Sequence, residues 1–409
     1  MLKFGISLLT MAVLLNASGI TRQNFIYADY PDMKNPHSSW GGLCYVPSLN
    51  KVVVSVTDHI SQVGIFEWDC ATKTMMRRTW MTEGAHLRDY EWQGKIHSQM
   101  VENKKDGWLY WGTDGGNNSE EYLMDHPNGY GGGYFMKYNP KTFEIVNMGQ
   151  ARKYESVKEV ALDQNRQRLY GFTYPSNHFV IKDLKTDLMI DKGSINKAYT
   201  ARIAFSDDWG NVYYTDMRGY IIKYEPASDS LLWAPERLAR DSGTESYLLR
   251  SGLTGWARKG NTNEYYMMSA WNRLFKLQVQ EKGIGPITDL GSILEPTTEL
   301  SKKTIHGLHC PNLVCHSNNK LYYWIGGHGG GVKKDQSTLV SMDLKTHKKE
   351  IVKEFSWDEI AEVTGCQIMD EKGNIYFAAR RHVEGNGAGE SGSSVARFVV
   401  FNPEKEINP

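Results

Sequence analysis

A short unit, clearest in Lys372-Gly373-Asn374-Ile375-Tyr376, recurs along the whole chain. It consists of a turn rich in Asp, Asn, Lys or Gly, followed by a short strand that carries a tyrosine. Five further copies share this plan and end at Tyr110, Tyr170, Tyr213, Tyr265 and Tyr322. A weaker copy is Leu49-Asn50-Lys51-Val52-Val53, which brings the number to seven. Self-similarity at a spacing of about 50 residues indicates a repeat architecture.

A second hairpin follows most copies of the unit and ends in an aromatic residue and a turn that contains proline. Examples are residues 134–140, 220–226 and 396–403. Four short antiparallel strands per unit are typical of a β-propeller blade, and blades that stack in a ring bury each other's apolar faces. A pair of β-sandwiches would not explain one recurring unit. The sequence therefore predicts an all-β, seven-bladed β-propeller over residues 20–409, as one domain.

The composition fits a large, turn-rich β protein. Of 409 residues, 40% are hydrophobic, 12% are aromatic and 23% are charged, which allows a large core and excludes global disorder. The 47 basic and 47 acidic side chains cancel. This balance argues against a general nucleic-acid binder or a binder of anionic membranes.

The first residues predict a secretory signal peptide over residues 1–19. A short basic start, Met1-Leu2-Lys3, precedes an apolar run from Phe4 to Leu15, and small residues follow up to Gly19. The apolar run is short for a membrane-spanning helix. We therefore expect a secreted or periplasmic protein, with a retained N-terminal anchor as the alternative.

Histidine and arginine crowd the positions that a propeller brings to one face. The connection into each inner strand and the turn between the two middle strands of each blade reach the same end of the ring. Predicted entry positions hold Trp40, His97, Arg202, His306, His309 and Cys366. Predicted middle turns hold His59, His126, Tyr174, His178, Arg218, His328, Arg381 and His382. The pattern predicts a cationic, titratable bowl for an anionic ligand. The alternative is that these loops are simply polar.

Three segments resemble a known family. They are residues 94–110, residues 131–140 and residues 169–179, which include Lys95-Ile96-His97-Ser98 and Phe172-Thr173-Tyr174-Pro175. Together they resemble the seven-bladed propeller polysaccharide lyases, above all the ulvan lyases of families 24 and 25. The resemblance is specific over residues 94–220. It implies cleavage of a glycosidic bond at C4 of a uronic acid by β-elimination.

The resemblance also implies roles for individual residues. His97 and Tyr174 correspond to the acid and base, and Arg202 corresponds to the group that neutralises the uronate carboxylate. The predicted substrate-binding residues are His178, His126 and Arg218, and Arg218 is also the substitute for Arg202. A tyrosine titrates near pH 10 on its own, so a tyrosine base requires a cationic neighbour.

Two departures from the family leave the neutralising group open. Gly133-Tyr134 stands where relatives often have a histidine, so that histidine is either His126 or missing. The segment Asp191-Lys192-Gly193-Ser194 carries no arginine where one is expected.

The five cysteines predict a structural metal site. An odd number leaves at least one cysteine unpaired within the chain. We expect three of them at neighbouring blade entries with histidines close by, where thiolates and imidazoles suit tetrahedral zinc. A structural metal in the resembling lyases supports this. The predicted ligands are His309, Cys310, Cys315 and Cys366, with His306 or His328 as replacements.

Other assignments of the cysteines remain open. The alternatives to a zinc site are free thiols, a single disulfide, or calcium as the metal. Cys44 and Cys70 fall in the same blade and are candidates for a disulfide. No cofactor is expected for the chemistry itself.

The predicted function is that of a lyase on a uronic-acid-containing anionic polysaccharide, with ulvan as the expected substrate. The alternative is a non-catalytic glycan-binding propeller. A calcium-dependent lactonase-like hydrolase would need carboxylates and amides at the channel mouth, where the sequence predicts His and Arg. We expect a monomer without nucleic-acid or membrane partners.

Overall fold

The computed structural model describes residues 19–34, 36–58, 62–88, 91–115, 130–195, 203–216, 218–239, 252–269, 272–294, 313–326, 337–383 and 394–407, with only the backbone of Cys366 and Gln367. These residues form seven four-stranded antiparallel sheets, and the inner strands of neighbouring sheets contact one another around a central channel. The prediction of an all-β, seven-bladed propeller is confirmed.

The first three blades follow one another along the chain, each with its strands in order from the channel outward. Blade 1 contains β2 (Leu43–Val46), β3 (Lys51–Thr57), β4 (Val63–Asp69) and β5 (Thr74–Trp80). Blade 2 contains β6 (Val101–Glu102), β7 (Leu109–Gly112), β8 (Tyr134–Tyr138) and β9 (Ile145–Gln150). Blade 3 contains β10 (Ser156–Asp163), β11 (Arg168–Tyr174), β12 (His178–Asp183) and β13 (Met189–Ser194).

The next three blades repeat this order. Blade 4 contains β14 (Phe205–Ser206), β15 (Val212–Thr215), β16 (Tyr220–Glu225) and β17 (Ser230–Arg237). Blade 5 contains β18 (Leu253–Arg258), β19 (Glu264–Ser269), β20 (Arg273–Gln278) and β21 (Ile287–Ser292). Blade 6 contains β22 (Leu313–Cys315), β23 (Lys320–Ile325), β24 (Thr338–Asp343) and β25 (Lys349–Glu354).

Blade 7 joins the two ends of the chain. It contains β26 (Glu362–Met369), β27 (Ile375–His382) and β28 (Ser394–Phe401), and β1 (Phe25–Ala28) is its outermost strand. Phe25 pairs with Phe401 in the sheet, and their rings stack with centres 4.7 Å apart. Because both residues are fully buried, this contact helps to close the ring.

The repeated tyrosines lie on the second strand of blades 2 to 7, as the repeat predicts. All six are buried, and several are tied to the turn that precedes them in sequence. The Tyr376 hydroxyl donates to Asp370 Oδ2 over 2.7 Å, and the Tyr110 hydroxyl donates to Asp106 Oδ2 over 2.7 Å. The acidic or amide residue of the turn and the tyrosine of the strand therefore form one local unit.

Helical structure is minor. One short helix, α1 (Met81–Gly84), follows blade 1, and short 3₁₀ turns cover Arg22–Asn24 and Pro47–Leu49. Within the described ranges, no helix is long and apolar enough to cross a membrane. Residues 1–18, which hold most of the predicted signal peptide, lie outside the described residues.

The described cysteines form no disulfide. The thiols of Cys44, Cys70 and Cys315 are free, so the candidate disulfide between Cys44 and Cys70 does not form. Cys44 lies on the inner strand β2, whereas Cys70 follows β4, the third strand of the same blade. The two residues are on strands that are not neighbours in the sheet, which keeps their thiols apart.

Candidate functional site

The site lies on the face of the ring where the chain enters the inner strands, here called the entry face. The segment that precedes β6 reaches this face and pairs there with the chain around the end of β7. Lys95 and Asp114 exchange backbone hydrogen bonds of 3.0 and 2.9 Å, and the buried Ser98 hydroxyl bonds to both the N–H and the carbonyl of Gly112. His97 stands between these two anchors, so its position is set by backbone contacts on either side.

Trp40 from the entry to blade 1 packs against His97. The two rings are nearly parallel, with an angle of 7° and centres 5.7 Å apart. The Lys95 ammonium lies 5.9 Å from the centre of the Trp40 ring. A Cβ atom at Gly41 would lie 2.6 Å from the backbone oxygen of His97, so glycine is needed for this close approach.

Asp114 is the buried centre of the group. Its carboxylate contacts the Lys158 ammonium, lies 3.8 Å from Lys95 Nζ and accepts a 2.6 Å hydrogen bond from the Ser156 hydroxyl. Burial alone would raise the pKa of Asp114, but the charges of Lys158, Lys95 and His97 outweigh burial and hold that pKa well below its usual range. Asp114 is therefore a permanent anion that holds two lysines together.

Lys158 links this centre to Tyr174. Val157 pairs with Thr173 and Glu159 pairs with Phe172, so Lys158 is the extra residue of a β-bulge in β10. The Lys158 ammonium lies 5.1 Å from the centre of the Tyr174 ring. This places a positive charge beside the tyrosine that the sequence singled out as an acid or base.

We call Lys95, His97, Asp114, Lys158 and Tyr174 the Asp114 cluster. It joins side chains from the entry to blade 2, the end of β7 and two strands of blade 3. His97 also lines the central channel, whereas Tyr174 lies outside the channel wall. His97 and Tyr174 thus belong to one connected group on the entry face, and of the two only His97 lines the central channel.

The predicted substrate-binding residues that the structure describes, His178 and Arg218, form ion pairs with residues outside the cluster. His178 begins β12, and its Nδ1 atom lies 2.8 Å from Asp191 on the outermost strand of blade 3. Asp191 also accepts a 2.7 Å hydrogen bond from Arg152. Arg218 lies between β15 and β16 of blade 4 and forms a 2.7 Å ion pair with Asp216. Arg202 and His126 lie outside the described residues.

The predicted metal ligands are only partly described. His309 and Cys310 lie outside the described residues, as do the replacements His306 and His328, and the Cys366 side chain is not described. Among the residues that the structure covers, no group of three or more His, Cys, Asp or Glu side chains could hold a metal ion.

The expectation that two of these cysteines lie at blade entries is wrong. Cys315 is the last residue of the inner strand β22, and Cys366 lies within β26. Cys315 is buried among apolar side chains of blades 5 and 6, and this burial raises the pKa of its thiol.

The central channel opens beneath Trp40 and His97. It encloses about 690 Å³, a volume typical of small-molecule sites. Inner-strand residues of several blades line it, among them Met100, Glu159, Phe205 and Trp256. The channel is therefore a concave feature that shares His97 with the Asp114 cluster.

Sequence reasoning missed Lys95, Asp114 and Lys158. One signal was available, because Lys158-Glu159 interrupts an apolar strand between Val157 and Val160. Adjacent charges inside a buried strand require a bulge or a partner. The partner, Asp114, is far away in sequence and follows an ordinary blade strand, so its role could not be inferred from its own surroundings.

Comparisons with known proteins identify the fold and no family. No protein family model matches the chain, and no curated protein matches it. The β-propeller domain of Cps50 (Swd1) from Myceliophteria thermophila is similar in structure, with a TM-score of 0.56 and 9% sequence identity over 92% of this chain and 99% of that one. U3-55K is also similar, with a TM-score of 0.54 and 8% identity over 92% of this chain and 98% of that one.

Proposed function

We propose that the protein is a polysaccharide lyase that cleaves a uronic-acid-containing anionic polysaccharide by β-elimination, with ulvan as the expected substrate. The observation that carries the proposal is the Asp114 cluster, in which His97 and Tyr174 from different parts of the ring are joined through Asp114 and Lys158. The resemblance of residues 94–220 to the propeller lyases supports the same assignment.

The reaction requires three groups. A cation neutralises the uronate carboxylate, so that negative charge can develop on it when the C5 proton leaves. A base removes that proton, and an acid protonates the O4 oxygen as the C4–O4 bond breaks. The electron pair of the C5–H bond becomes the C4–C5 double bond of the product, so atoms and electrons balance without a co-reactant.

In our proposal, Tyr174 and His97 act as the acid and base. Lys158 provides the cationic neighbour that a tyrosine base requires, since its ammonium lies 5.1 Å from the ring centre. Lys158 also takes part in neutralising the uronate, a role that the sequence gave to Arg202, with Arg218 as its substitute. Asp114 is a positioning residue, because it acts on the substrate only through the lysines it holds.

The decisive experiment incubates the full chain with ulvan, polygalacturonate and glycosaminoglycans and follows the absorbance of the unsaturated uronate product. We expect product with at least one of them. Tyr174→Phe and His97→Ala should each remove most activity while the thermal unfolding curve stays unchanged. Tyr154→Phe is the matched control, because Tyr154 is 69% exposed and outside the cluster.

Two outcomes would count against the proposal. Binding of a polysaccharide without product, together with unchanged binding by Tyr174→Phe, would favour a non-catalytic glycan-binding propeller. If the protein neither binds nor cleaves any polysaccharide of the panel, that result would argue against any function on acidic polysaccharides.

A further inference from the structure

One buried carboxylate holds the turn that carries Tyr174. Glu155 lies in the connection between blades 2 and 3, and its two carboxylate oxygens accept hydrogen bonds from the hydroxyls of Thr173 and Ser176. These hydroxyls lie on either side of Tyr174-Pro175 in the chain. Glu155 therefore fixes the turn between β11 and β12 at both of its ends.

Glu155 is itself fixed in place. Its carbonyl oxygen accepts a 2.7 Å hydrogen bond from the Gly133 N–H, and its Oε1 atom accepts a 2.9 Å bond from Arg152 Nε. Burial alone would raise the pKa of Glu155, but the hydrogen bonds from the two hydroxyls and from Arg152 outweigh burial and lower that pKa. The group is therefore an anion, and hydrogen bonds to an anion are stronger than those to a neutral acceptor.

The contacts of the Thr173 hydroxyl determine where its hydrogen points. The hydroxyl accepts a 3.0 Å hydrogen bond from the His178 N–H, so its one hydrogen is left for Glu155. The His178 ring lies 2.8 Å from Asp191, which accepts a 2.7 Å bond from Arg152. Because Arg152 also bonds to Glu155, these hydrogen bonds form a closed ring beside the turn.

The residue after Glu155 joins this support to the Asp114 cluster. Ser156 is the sheet partner of Tyr174, and its hydroxyl donates to Asp114 over 2.6 Å. Lys158, which contacts both Asp114 and the Tyr174 ring, follows two residues later. One short segment therefore determines how the Tyr174 phenol lies relative to the Lys158 ammonium.

Glu155 and Thr173 are too buried to bind a polysaccharide themselves. Glu155 is 6% exposed and Thr173 is 0% exposed, whereas Tyr174 is partly exposed. Any effect of these two residues on elimination must therefore pass through Tyr174. Misplacement of a reacting group by about 1 Å is enough to slow a reaction by about 100-fold.

We propose that Glu155 is a positioning residue that holds Tyr174 against Lys158 through the hydroxyls of Thr173 and Ser176. Its effect on the reaction rate rests on the proposed lyase function, whereas its effect on the place of the ring does not. Measuring both effects distinguishes a wrong reaction from a wrong positioning residue.

Steady-state kinetics on the best polysaccharide test the effect on rate. Thr173→Val keeps the shape of the side chain and removes the hydroxyl, so kcat should fall about 10-fold to 100-fold while KM changes by less than about twofold. Thr173→Ser keeps the hydroxyl and should retain most of kcat. Glu155→Gln should resemble Thr173→Val, and the double variant should be no slower than the slower single variant, because both changes remove the same interaction.

Thr215→Val is the matched structural control. Thr215 is also a buried threonine near the end of the second strand of a blade, and its hydroxyl accepts a 3.0 Å hydrogen bond from the Leu253 N–H. The substitution should lower the unfolding temperature as Thr173→Val does. At a temperature where all variants are folded, it should leave kcat unchanged.

Fluorine NMR of the full chain labelled with 3-fluorotyrosine tests the place of the ring without any substrate. The Tyr174 signal is the one that disappears in Tyr174→Phe. It should shift or broaden in Thr173→Val, stay close to its original position in Thr173→Ser, and be unchanged in Thr215→Val. Because both variants at position 173 alter the residue next to Tyr174, the difference between them reports the loss of the hydroxyl.

A second pair of variants keeps the test valid if Thr173→Val fails to fold. Ser176 is exposed, and Ser176→Ala removes the other hydroxyl bonded to Glu155, whereas Ser176→Thr keeps it. The proposal is overturned if the Tyr174 signal is the same with and without the hydroxyl at both positions. It is also overturned if Thr173→Val lowers kcat on a cleaved polysaccharide no more than Thr215→Val does. If no polysaccharide is cleaved, the lyase function fails, and the fluorine signal alone decides whether Glu155 positions Tyr174.

Discussion

The Lys158 ammonium lies against two groups at once, the buried Asp114 carboxylate and the face of the Tyr174 ring, 5.1 Å from its centre. The first contact holds the lysine in place, and the second brings its charge to the tyrosine. A β-bulge in β10 makes this possible, because Lys158 has no partner on β11.

Lys158→Met should lower kcat/KM for elimination by about 100-fold, because it removes a cation that acts on developing charge. Lys158→Arg should retain more activity than Lys158→Met, since it keeps the charge. Initial rates on the best polysaccharide measure this. Lys345→Met, at an exposed turn on the opposite face, is the control and should be fully active. Full activity of Lys158→Met would remove Lys158 from the mechanism.

Asp114→Asn should destabilise the fold by about 3–5 kcal/mol, because two lysines would then share no counter-charge. The pKa of Asp114 is lowered in the folded state, so its contribution is present above the unfolded pKa and is lost as pH falls through the folded pKa. The difference in the free energy of unfolding between the original chain and Asp114→Asn should therefore be largest above about pH 4 and become smaller in acid.

Urea unfolding at several pH values measures that gap. Glu236→Gln is a suitable control, because Glu236 is exposed on the outermost strand of blade 4 and should contribute little. A gap that widens on acidification would contradict the assignment of Asp114 as a buried anion.

Phe25→Ala should lower the free energy of unfolding by about 3–5 kcal/mol, because the ring is fully buried between blade strands and stacks on Phe401. Leu188→Ala changes a side chain that is 61% exposed, so its free energy of unfolding should differ from that of the original chain by no more than about 0.5 kcal/mol. Thermal and urea unfolding measure the stability of both variants. Equal stability of both variants would mean that β1 contributes nothing to ring closure.

The free cysteines should differ in reactivity. Burial raises the pKa of Cys44 to about 12 and also raises the pKa of Cys315. Burial raises the pKa of Cys70 as well, but Cys70 is only partly buried and accessible to a reagent, and a hydrogen bond from the Tyr376 hydroxyl, 3.3 Å from its sulfur, opposes this rise. Since the thiolate is the reactive form, an alkylating reagent at about pH 8 should label Cys70 before Cys44 or Cys315. Peptide mass spectrometry after timed labelling checks the order, and a disulfide-linked peptide containing Cys44 and Cys70 would contradict it.

The amino-acid sequence by itself determined the fold, since six of the seven blades are continuous in sequence. The tyrosine of the second strand and the polar residue of the preceding turn are close in sequence, as in Asp370 and Tyr376, and they bond within one hairpin. Because the same short pattern recurs, the number of blades and the face reached by Tyr174, His178 and Arg218 could be predicted without coordinates.

Only the tertiary structure decided which side chains meet. Asp114 and Lys158 come from different blades, and their contact depends on a bulge that a regular alternation of strand residues does not anticipate. The placement of Cys44, Cys70 and Cys315 likewise depends on strand order and on position within the inner strand. Local periodicity sets the blade, whereas charge pairing across blades depends on how the ring closes, and that information is spread over the whole chain.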